Sequence, residues 1–224
     1  MTMAAPAATS LPPAAASDPY AHLSAAERYI HVMRDRALLA LLGRHGFAGL
    51  GALRVLELGC GEGSLLRSLL HYGANARLLE GVDIDPSRVR RARTLAGARA
   101  GVADIASLPY RDGTFDLALA FTAFSSVLDA GARRRAAAEA MRVLRPGGLL
   151  VVYDFWTNPF NRRVRPVAAR ELRELFAPRT VELERVTLAP PLVRALGGSS
   201  LCAPLERLPW LRTHVLAAVV KEAS

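Results

Sequence analysis

Short apolar runs alternate with segments of helical periodicity along residues 53–155. This alternation is typical of an α/β domain, in which helices cover both faces of a largely parallel sheet. The predicted strands are 53–58, 78–83, 99–103, a strand from Phe115 to Phe121, and 149–155, and the helices between them are 64–72, 86–95 and 132–144. The pattern therefore predicts a doubly wound open sheet, a fold that binds ligands at the carboxyl edge of its strands.

The flanking segments have a different pattern. Residues 20–45 read as a helix, because apolar residues recur at three- and four-residue steps, at Ile30, Met33, Ala37 and Leu41. After residue 155 the pattern predicts a helix over 167–176 and strands over 180–188 and 214–222. The segment between these last strands is too long for a plain hairpin, so we expect helices within it. Residues 1–19 are rich in Ala and Pro and are predicted to be a disordered tail.

Composition and charge restrict the classes of function that the chain can have. The 224 residues carry a formal net charge of +9, with basic clusters at 88–93, 133–135 and 162–165. The clusters are either a nucleic-acid footprint or solvated helix faces, and the second reading is favoured because no aromatic residues interleave with them. No apolar run approaches the roughly 18 residues that span a bilayer. Cys60 and Cys202 have no metal-ligand spacing, which favours a reducing, cytoplasmic setting.

The stretch "RVLELGCGEGSLL" (residues 54–66) places Gly59, Gly61 and Gly63 at alternate positions directly after a predicted strand. This spacing differs from the G-x-G-x-x-G of dinucleotide sites, and the loop lacks the lysine of a P-loop. Glu57 precedes the loop, where it would repel a pyrophosphate and attract an ammonium group. The loop therefore points to a ligand that carries an ammonium and no phosphate.

S-adenosylmethionine is such a ligand. Asp83 ends the second strand 24 residues after Gly59, where a carboxylate can accept hydrogen bonds from ribose hydroxyls. Asp85 lies two residues further on and is a second candidate for this role, although position favours Asp83. Asp104 follows the third strand and can accept from the adenine amino group, while Ile105 offers an apolar face and a backbone N–H.

Four ordered blocks over residues 50–155, "VLELGCGEGSLL", "GVDIDPSRV", "ADIASLPYRDGTFDLALAF" and "AAAEAMRVLRPGGLLVVYDF", resemble class I S-adenosylmethionine-dependent methyltransferases. The likeness is to the small-molecule, type 11-like branch. It implies a Rossmann-like, seven-stranded sheet with an antiparallel last strand, in one domain over 20–224. Residues 20–48 would form a helical lid and 189–213 an insertion before the last strand. The implied cofactor residues are Glu57, Gly59, Cys60, Gly61, Asp83, Ile84, Asp104, Ile105 and Phe121.

The resemblance further implies in-line transfer of a methyl group to a small-molecule acceptor, with S-adenosylhomocysteine as the product. A hydroxyl of a secondary metabolite or sugar is the expected acceptor, and a small-molecule amine or RNA are the alternatives. Asp154 at the end of the fifth strand and His31 and His22 on the N-terminal helix are the candidates for a general base. Each also has a purely structural interpretation. No metal site is expected, because Asp154 and Asn158 lack a third ligand.

Two other interpretations remain. The charge of +9 suggests a nucleic-acid methyltransferase, although the segment after the fourth strand reads "FTAFSS" and lacks the "NPPY"-like motif of exocyclic amine methylation. A non-catalytic cofactor-binding protein on the same fold is the second, and the intact loop and both acids argue against it. The apolar insertion could also form a homodimer contact.

Overall fold

The structure, a computed structural model, describes residues 24–157 and 164–222. The elements in chain order are α1 (Ala25–Arg44), β1 (Val55–Leu58), α2 (Ser64–His71), β2 (Leu79–Asp83), α3 (Pro86–Ala96), β3 (Arg99–Val102), β4 (Phe115–Phe121), α4 (Ala130–Val143), β5 (Leu144–Phe155), α5 (Ala169–Phe176), β6 (Glu182–Leu188), α6 (Pro190–Ala195), α7 (Cys202–Leu205) and β7 (Arg212–Val220). Single 3₁₀ turns occupy Phe124–Ser126 and Pro209–Leu211. The predicted tail at 1–19 and the start of the predicted lid lie outside the described residues.

Seven strands form one sheet in the order β3-β2-β1-β4-β5-β7-β6. Strand β7 runs antiparallel to both of its neighbours, and the other neighbouring pairs are parallel. The predicted Rossmann-like sheet with an antiparallel last strand is confirmed. The strand order reverses between β1 and β4, and such a switch point opens a crevice at the carboxyl edge of the sheet.

The side chains of each central strand alternate between two apolar layers. On β5, Val151 and Tyr153 pack in the layer that contains α1, α2 and α3. Val152, between them, packs in the layer that contains α4 and α5. This alternation follows from the two-residue period of a strand and explains why the central strands read as continuous apolar runs.

Strand β5 begins earlier than predicted. Phe115 of β4 pairs with Leu144 and Leu117 pairs with Leu149, so residues 145–148 form an irregularity within the strand. These residues, "RPGG", lie between the predicted helix over 132–144 and the predicted strand over 149–155. Here the backbone N–H of Gly147 donates to the carbonyl of Lys221 at 2.7 Å, which ties this segment to the chain beyond β7.

The buried face of α1 is rotated from the predicted one. Met33 and Ala37 are half-buried, whereas Ile30, Arg34 and Leu38 are buried. These three residues recur every four positions and lie on one face of the helix. The prediction assigned only apolar residues to the buried face and therefore missed the buried charged residues Glu27, Arg34 and Asp35.

The segment 189–213 contains helices of its own, as expected, and it packs against α1. Val193 and Cys202 share an apolar cluster with Ala26 and Ile30. Glu27 and Arg194 form an ion pair at 2.7 Å. A Cβ at Gly198 would lie 2.6 Å from a backbone atom of α1. The insertion therefore holds the first turns of α1 in place.

Candidate functional site

A cavity of about 560 Å³ opens at the carboxyl edge of the sheet. This volume lies within the ~300–1,000 Å³ typical of small-ligand sites. The nine residues predicted to hold the cofactor all line this cavity, and they are Glu57, Gly59, Cys60, Gly61, Asp83, Ile84, Asp104, Ile105 and Phe121. They come from the ends of four different strands, which the parallel topology brings together at one edge.

The glycine loop has a conformation that side chains rarely adopt. Gly59, Gly61 and Gly63 have φ of 71°, 53° and 80°. A Cβ at Gly59 would lie 3.1 Å from Ala123, but a Cβ at Gly61 would meet no atom of the described chain within 4 Å. Gly61 thus borders the open cavity, so its backbone can lie directly against a ligand.

Asp83 and Asp85 have different roles in the structure. Asp83 is buried and accepts hydrogen bonds from the backbone N–H groups of Gly61 and Asp85, both at 2.9 Å. Asp85 caps α3 by accepting from Ser87 at 2.7 Å, and these hydrogen bonds lower the pKa of its carboxyl. Only Asp83 lines the cavity. Each of its oxygens retains a lone pair that can accept from a hydroxyl.

The far side of the cavity combines apolar and acidic groups. Ile84 is 70% exposed, which is unusual for a large apolar side chain, and Ile105 lies buried nearby in the cavity wall. Asp104 accepts a hydrogen bond from the backbone N–H of Ala106 at 2.8 Å and is otherwise exposed. A flat heteroaromatic ring with an amino group matches this combination of apolar faces and a free carboxylate oxygen.

Glu57 is buried at the centre of the site, with 3% of its surface exposed. Its Oε2 has no hydrogen-bond partner among the described residues. Burial raises the pKa of this carboxyl to about 8, because water no longer solvates its charge, and Arg34 opposes part of the shift. An unpartnered buried carboxylate beside a cavity is stabilised when a cationic group binds there.

Two aromatic rings form the apolar wall of the cavity. Phe121 at the end of β4 stacks on Tyr153 of β5, with ring centroids 5.1 Å apart. Tyr153 in turn stacks on His214 of β7 at 4.7 Å and its hydroxyl bonds Thr187 at 3.0 Å. Burial raises the pKa of Tyr153 and lowers that of His214 to about 3, so both rings are neutral near pH 7.

Arg34 of α1 also lines the cavity and was missed in the sequence. It is 9% exposed, and its guanidinium carbon lies 5.8 Å from the centre of the Phe121 ring. The available signal was its position on the apolar face of the helix, four residues after Ile30 and four before Leu38. That position was overlooked because arginine is ordinarily expected at the solvated surface.

Asp154 does not line the cavity, which corrects the expectation that it lies beside the reacting methyl group. Its side chain points to the opposite face of the sheet from its neighbour Tyr153. It is buried and accepts from the backbone N–H groups of Ser125 at 2.9 Å and Phe155 at 2.8 Å. Burial raises its pKa to about 6. The geometry supports the capping role for Asp154 and gives the general-base hypothesis no support.

The two histidine candidates are not brought to the cavity. His31 is half-buried on α1, and of the α1 residues Arg34 is the one that lines the cavity. His22 lies outside the described residues. Ser126 and Val127, which follow β4, do line the cavity, whereas Asp129 caps α4 by accepting from the backbone N–H of Ala132 at 2.6 Å.

We expect Asp154→Asn to lower the free energy of unfolding by about 1–3 kcal/mol, because one of two buried N–H groups loses its acceptor. The affinity for S-adenosylhomocysteine should be unchanged. Urea unfolding and calorimetric titration measure the two quantities. A tenfold loss of affinity at unchanged stability would contradict the structural role and return Asp154 to the site.

The basic clusters do not form one solvated surface. Arg133 is fully buried, and Arg93 donates to the carbonyl of Ala100 at 2.7 Å. Arg91 pairs with Glu62 at 2.5 Å. The prediction that these arginines cover solvated helix faces is therefore wrong for Arg133. Residues 162 and 163 lie outside the described part.

Both cysteines are buried and unpaired. Burial raises the pKa of the Cys60 thiol to about 12, and the nearby carboxyls of Glu57 and Asp83 add to the shift. A protonated thiol is a poor nucleophile. The described residues contain no cluster of three or more His, Cys, Asp or Glu able to hold a metal ion. No helix in the described ranges is long and apolar enough to cross a bilayer.

The central part of the chain is similar to a known protein family. Residues 56–152 match the family described as "Methyltransferase domain". This part of the chain is therefore similar to methyltransferase domains. The match includes β2, β3 and β4 and most of β1 and β5, and it contains all nine predicted cofactor residues.

The chain is also similar to curated proteins that are named as methyltransferases. The chain is 36% identical over 115 residues to 2-methyl-6-phytyl-1,4-hydroquinone methyltransferase of Synechocystis sp., covering 49% of this chain and 34% of that protein. It is 34% identical to 27-O-demethylrifamycin SV methyltransferase of Amycolatopsis mediterranei, covering 47% and 40%. It is 26% identical to norajmaline N-methyltransferase of Rauvolfia serpentina, covering 75% and 53%. The chain thus spans about a third to a half of the length of these relatives.

Solved structures share the fold. The [4+2]-cyclase SpnF superposes with a TM-score of 0.64 at 21% identity, covering 85% of this chain and 82% of that one. An S-adenosylmethionine-dependent methyltransferase from Mesorhizobium loti gives a TM-score of 0.60 at 21% identity, covering 83% and 96%. Since one of these structures is named as a cyclase, the fold alone does not define the reaction.

Proposed function

We propose that the protein transfers a methyl group from S-adenosylmethionine to a small-molecule acceptor. The observation that carries this proposal is the buried carboxyl group of Glu57, whose Oε2 has no hydrogen-bond partner among the described residues, beside the open backbone of Gly61. Together they offer a cationic, phosphate-free ligand a charge partner and a close backbone contact. The cofactor, when bound, supplies a methyl group already activated by a positively charged sulfur.

The residues of the chain then bind and orient the cofactor. Glu57 accepts from the amino group of the cofactor, and Asp83 accepts from the ribose hydroxyls while it holds the Gly61 N–H. Asp104 accepts from the adenine amino group, with Ile84 against the ring. Phe121, held by its stack on Tyr153, excludes water from the reacting end. Alignment and exclusion of water are the main requirements of an in-line displacement at an activated methyl group.

The helical lid is part of this proposal. Helix α1 carries Arg34 into the cavity wall and is held by the insertion through Glu27 and Arg194. We propose that residues 20–48 cover the cofactor and that the insertion helps to select the acceptor. Ser126 and Val127 line the same cavity and are placed to contact an acceptor as well.

We propose a hydroxyl group as the acceptor. The support is the likeness to 27-O-demethylrifamycin SV methyltransferase, whose name describes O-methylation of a secondary metabolite. N-methylation is the alternative, because the match to norajmaline N-methyltransferase covers the larger share of this chain, 75%. Incubation with labelled cofactor and matched hydroxyl and amine metabolites, followed by mass spectrometry of the products, distinguishes the two.

We also propose a cellular location and an oligomeric contact. A cytoplasmic location is supported by the two unpaired cysteines. A homodimer contact on the insertion is supported by the exposure of Leu201 and Trp210. Sedimentation analysis tests the second expectation directly.

Calorimetric titration with S-adenosylmethionine and S-adenosylhomocysteine tests the cofactor. We expect both to bind, and Asp83→Asn to weaken binding by about 5–150-fold through lost hydrogen bonds to a charged group. Asp85→Asn is the matched control, since asparagine caps a helix as well as aspartate does and Asp85 does not line the cavity. Equal effects of the two substitutions would contradict the ribose assignment, and no binding by the unsubstituted protein would contradict the function.

A further inference from the structure

One wall of the cavity carries no charged side chain among the described residues. This wall, which we call the β4 wall, consists of the last residue of β4, residues of the loop after it and one residue of α4, namely Phe121, Thr122, Ala123, Ser126, Val127 and Ala132. Another part of the cavity contains Glu57, Asp83 and Asp104, the acids that the proposed function assigns to the cofactor. The cavity therefore has a charged part and a neutral part.

Three charged side chains hold the backbone of this region without entering the cavity. Asp154 accepts from a backbone N–H group of the loop at 2.9 Å, and Asp129 accepts from that of Ala132 at 2.6 Å. Arg133 donates to the carbonyl of Val127 through Nε at 3.1 Å and Nη2 at 2.7 Å. None of the three lines the cavity. The β4 wall is thus fixed by charges but presents a neutral surface to a ligand.

Arg34 of α1 approaches the β4 wall, and its charge is balanced by the protein. Its guanidinium carbon lies 5.8 Å from the centre of the Phe121 ring. Its Nη2 lies 2.7 Å from Oδ1 of Asp35, and its Nε donates to the same oxygen at 2.8 Å. An anionic group on an acceptor would therefore have to compete with Asp35 for this guanidinium.

The two hydroxyl groups of the β4 wall can accept hydrogen bonds, but each has already donated its hydrogen. The hydroxyl of Thr122 donates to the carbonyl of Phe121 at 2.8 Å, and that of Ser126 donates to the carbonyl of Thr122 at 2.9 Å. A carbonyl oxygen only accepts, so the direction of both bonds is fixed. The remaining lone pairs of Ser126 match a ligand that donates a hydrogen bond, and they would repel a carboxylate.

The backbone at Thr122 has a conformation that is unusual for its residue type. Its φ is 53°, which β-branched residues rarely adopt. Its N–H donates to the carbonyl of Tyr153 at 2.7 Å, and its own carbonyl holds the hydroxyl of Ser126. Strained backbone of this kind is concentrated at functional sites, where the surrounding structure fixes it. The orientation of the Ser126 hydroxyl therefore depends on this strained residue.

We propose that the β4 wall binds an uncharged acceptor with a hydroxyl group on an apolar frame, and that Ser126 accepts a hydrogen bond from this hydroxyl. Phe121 and Val127 provide the apolar contact for the frame. A charged group at this wall would lose its hydration without gaining a partner. This inference rests on the proposed function and restricts it. It excludes acceptors that carry a phosphate, a carboxylate or an ammonium beside the reacting group.

Fluorescence titration of the protein saturated with S-adenosylhomocysteine tests this inference with three probes on one frame. They are 2-naphthol, 2-fluoronaphthalene, which has no hydrogen-bond donor, and 2-naphthoate, which carries a charge at the same position. We expect 2-naphthol to bind about 2–10-fold more tightly than 2-fluoronaphthalene, the range for one net hydrogen bond between neutral groups. It should bind at least about tenfold more tightly than 2-naphthoate, whose charge would lack a partner.

Variants of the two adjacent serines test the role of Ser126. Ser126→Ala should abolish the preference for 2-naphthol over 2-fluoronaphthalene, and Ser126→Thr, which keeps a hydroxyl, should retain it. Ser125→Ala is the matched control, because Ser125 is buried and does not line the cavity, and it should keep the full preference. Unchanged affinity for S-adenosylhomocysteine shows that each variant is folded.

The outcomes distinguish this inference from the proposed function. If the unsubstituted protein does not bind S-adenosylhomocysteine, the proposed function fails. If it binds that ligand but does not bind 2-naphthol, or binds 2-naphthoate as tightly, the neutral acceptor is wrong while the cofactor assignment stands. A preference for 2-naphthol that persists in Ser126→Ala would overturn the role of Ser126.

Discussion

Replacing Arg133 with methionine is expected to lower the free energy of unfolding by about 3 kcal/mol, the lower end of the range for breaking a buried ion pair. The side chain of Arg133 has no exposed surface and lies 2.8 Å from Glu171. It also donates to the carbonyl of Val127 through Nε at 3.1 Å and Nη2 at 2.7 Å. We expect a value at the lower end of this range because Glu171 is partly exposed and, without Arg133, would still have Arg165 as an ion-pair partner at 3.5 Å.

Thermal unfolding measures this effect. For a chain of this size a loss of about 3 kcal/mol lowers Tm by roughly 6–12 °C. Arg134→Met is the matched control, since Arg134 is the next residue and is exposed, and it should change the stability by less than about 0.5 kcal/mol. Similar shifts in both variants would show that the Arg133 contacts do not stabilise the fold.

Glu57→Gln is expected to weaken binding of S-adenosylhomocysteine by about 10–100-fold at pH 8, because a hydrogen bond between two charged groups becomes one to a neutral amide. The pH dependence should change as well. The pKa of Glu57 is about 8 in the free protein and the ammonium group binds its ionised form, so the affinity should rise about tenfold from pH 6 to 7 and about fivefold from pH 7 to 8. The variant should lack this dependence. Titration at three pH values measures it.

Glu57→Gln is expected to weaken ligand binding but to stabilise the ligand-free protein. The pKa of Glu57 is raised from 4.5 in the unfolded chain to about 8, so the folded state binds the extra proton between these values. Stability contributed by this group is therefore present at low pH and is lost as pH rises towards 8. The ligand-free Glu57→Gln variant should gain stability relative to the unsubstituted protein between pH 6 and 9, measured as Tm.

Glu62→Gln provides the control for both measurements. Glu62 lines the same cavity but is exposed and pairs with Arg91 on the surface. It should alter neither the pH dependence of binding nor that of Tm. If Glu57→Gln lowers Tm at every pH, the carboxyl group of Glu57 stabilises the fold, and this result would contradict its role as a binding group for a cationic ligand.

Much of the site could be predicted because its residues follow local signals. Apolar strands that alternate with helices predict a parallel sheet, and the polar residues directly after those strands must then meet at its carboxyl edge. Gly59 and Gly61 follow β1, Asp83 ends β2 and Ile84 follows it, and Asp104 and Ile105 follow β3. None of these placements depends on how distant parts of the chain pack.

Asp154 shows where this reasoning fails. Its position at the carboxyl end of β5 was predicted correctly, but adjacent residues on a strand point to opposite faces. Tyr153 therefore lines the cavity and Asp154 caps the turn at Ser125. The sequence at this strand is apolar on both faces, so no alternation of polar and apolar residues marks the face that the cavity occupies.

The sheet, the glycine loop and the cavity-lining residues at the strand ends could be predicted from the sequence, because they depend on periodicity and on short spacings along the chain. The burial of Arg34 and Arg133 depends on long-range packing. Each lies against a segment more than twenty residues away, since Arg34 lies 5.8 Å from the centre of the Phe121 ring and Arg133 pairs with Glu171 of α5. From sequence alone a charged residue is expected at the surface. It can be buried where a distant element provides a partner for its charge, and no local pattern in the sequence shows which elements will pack together.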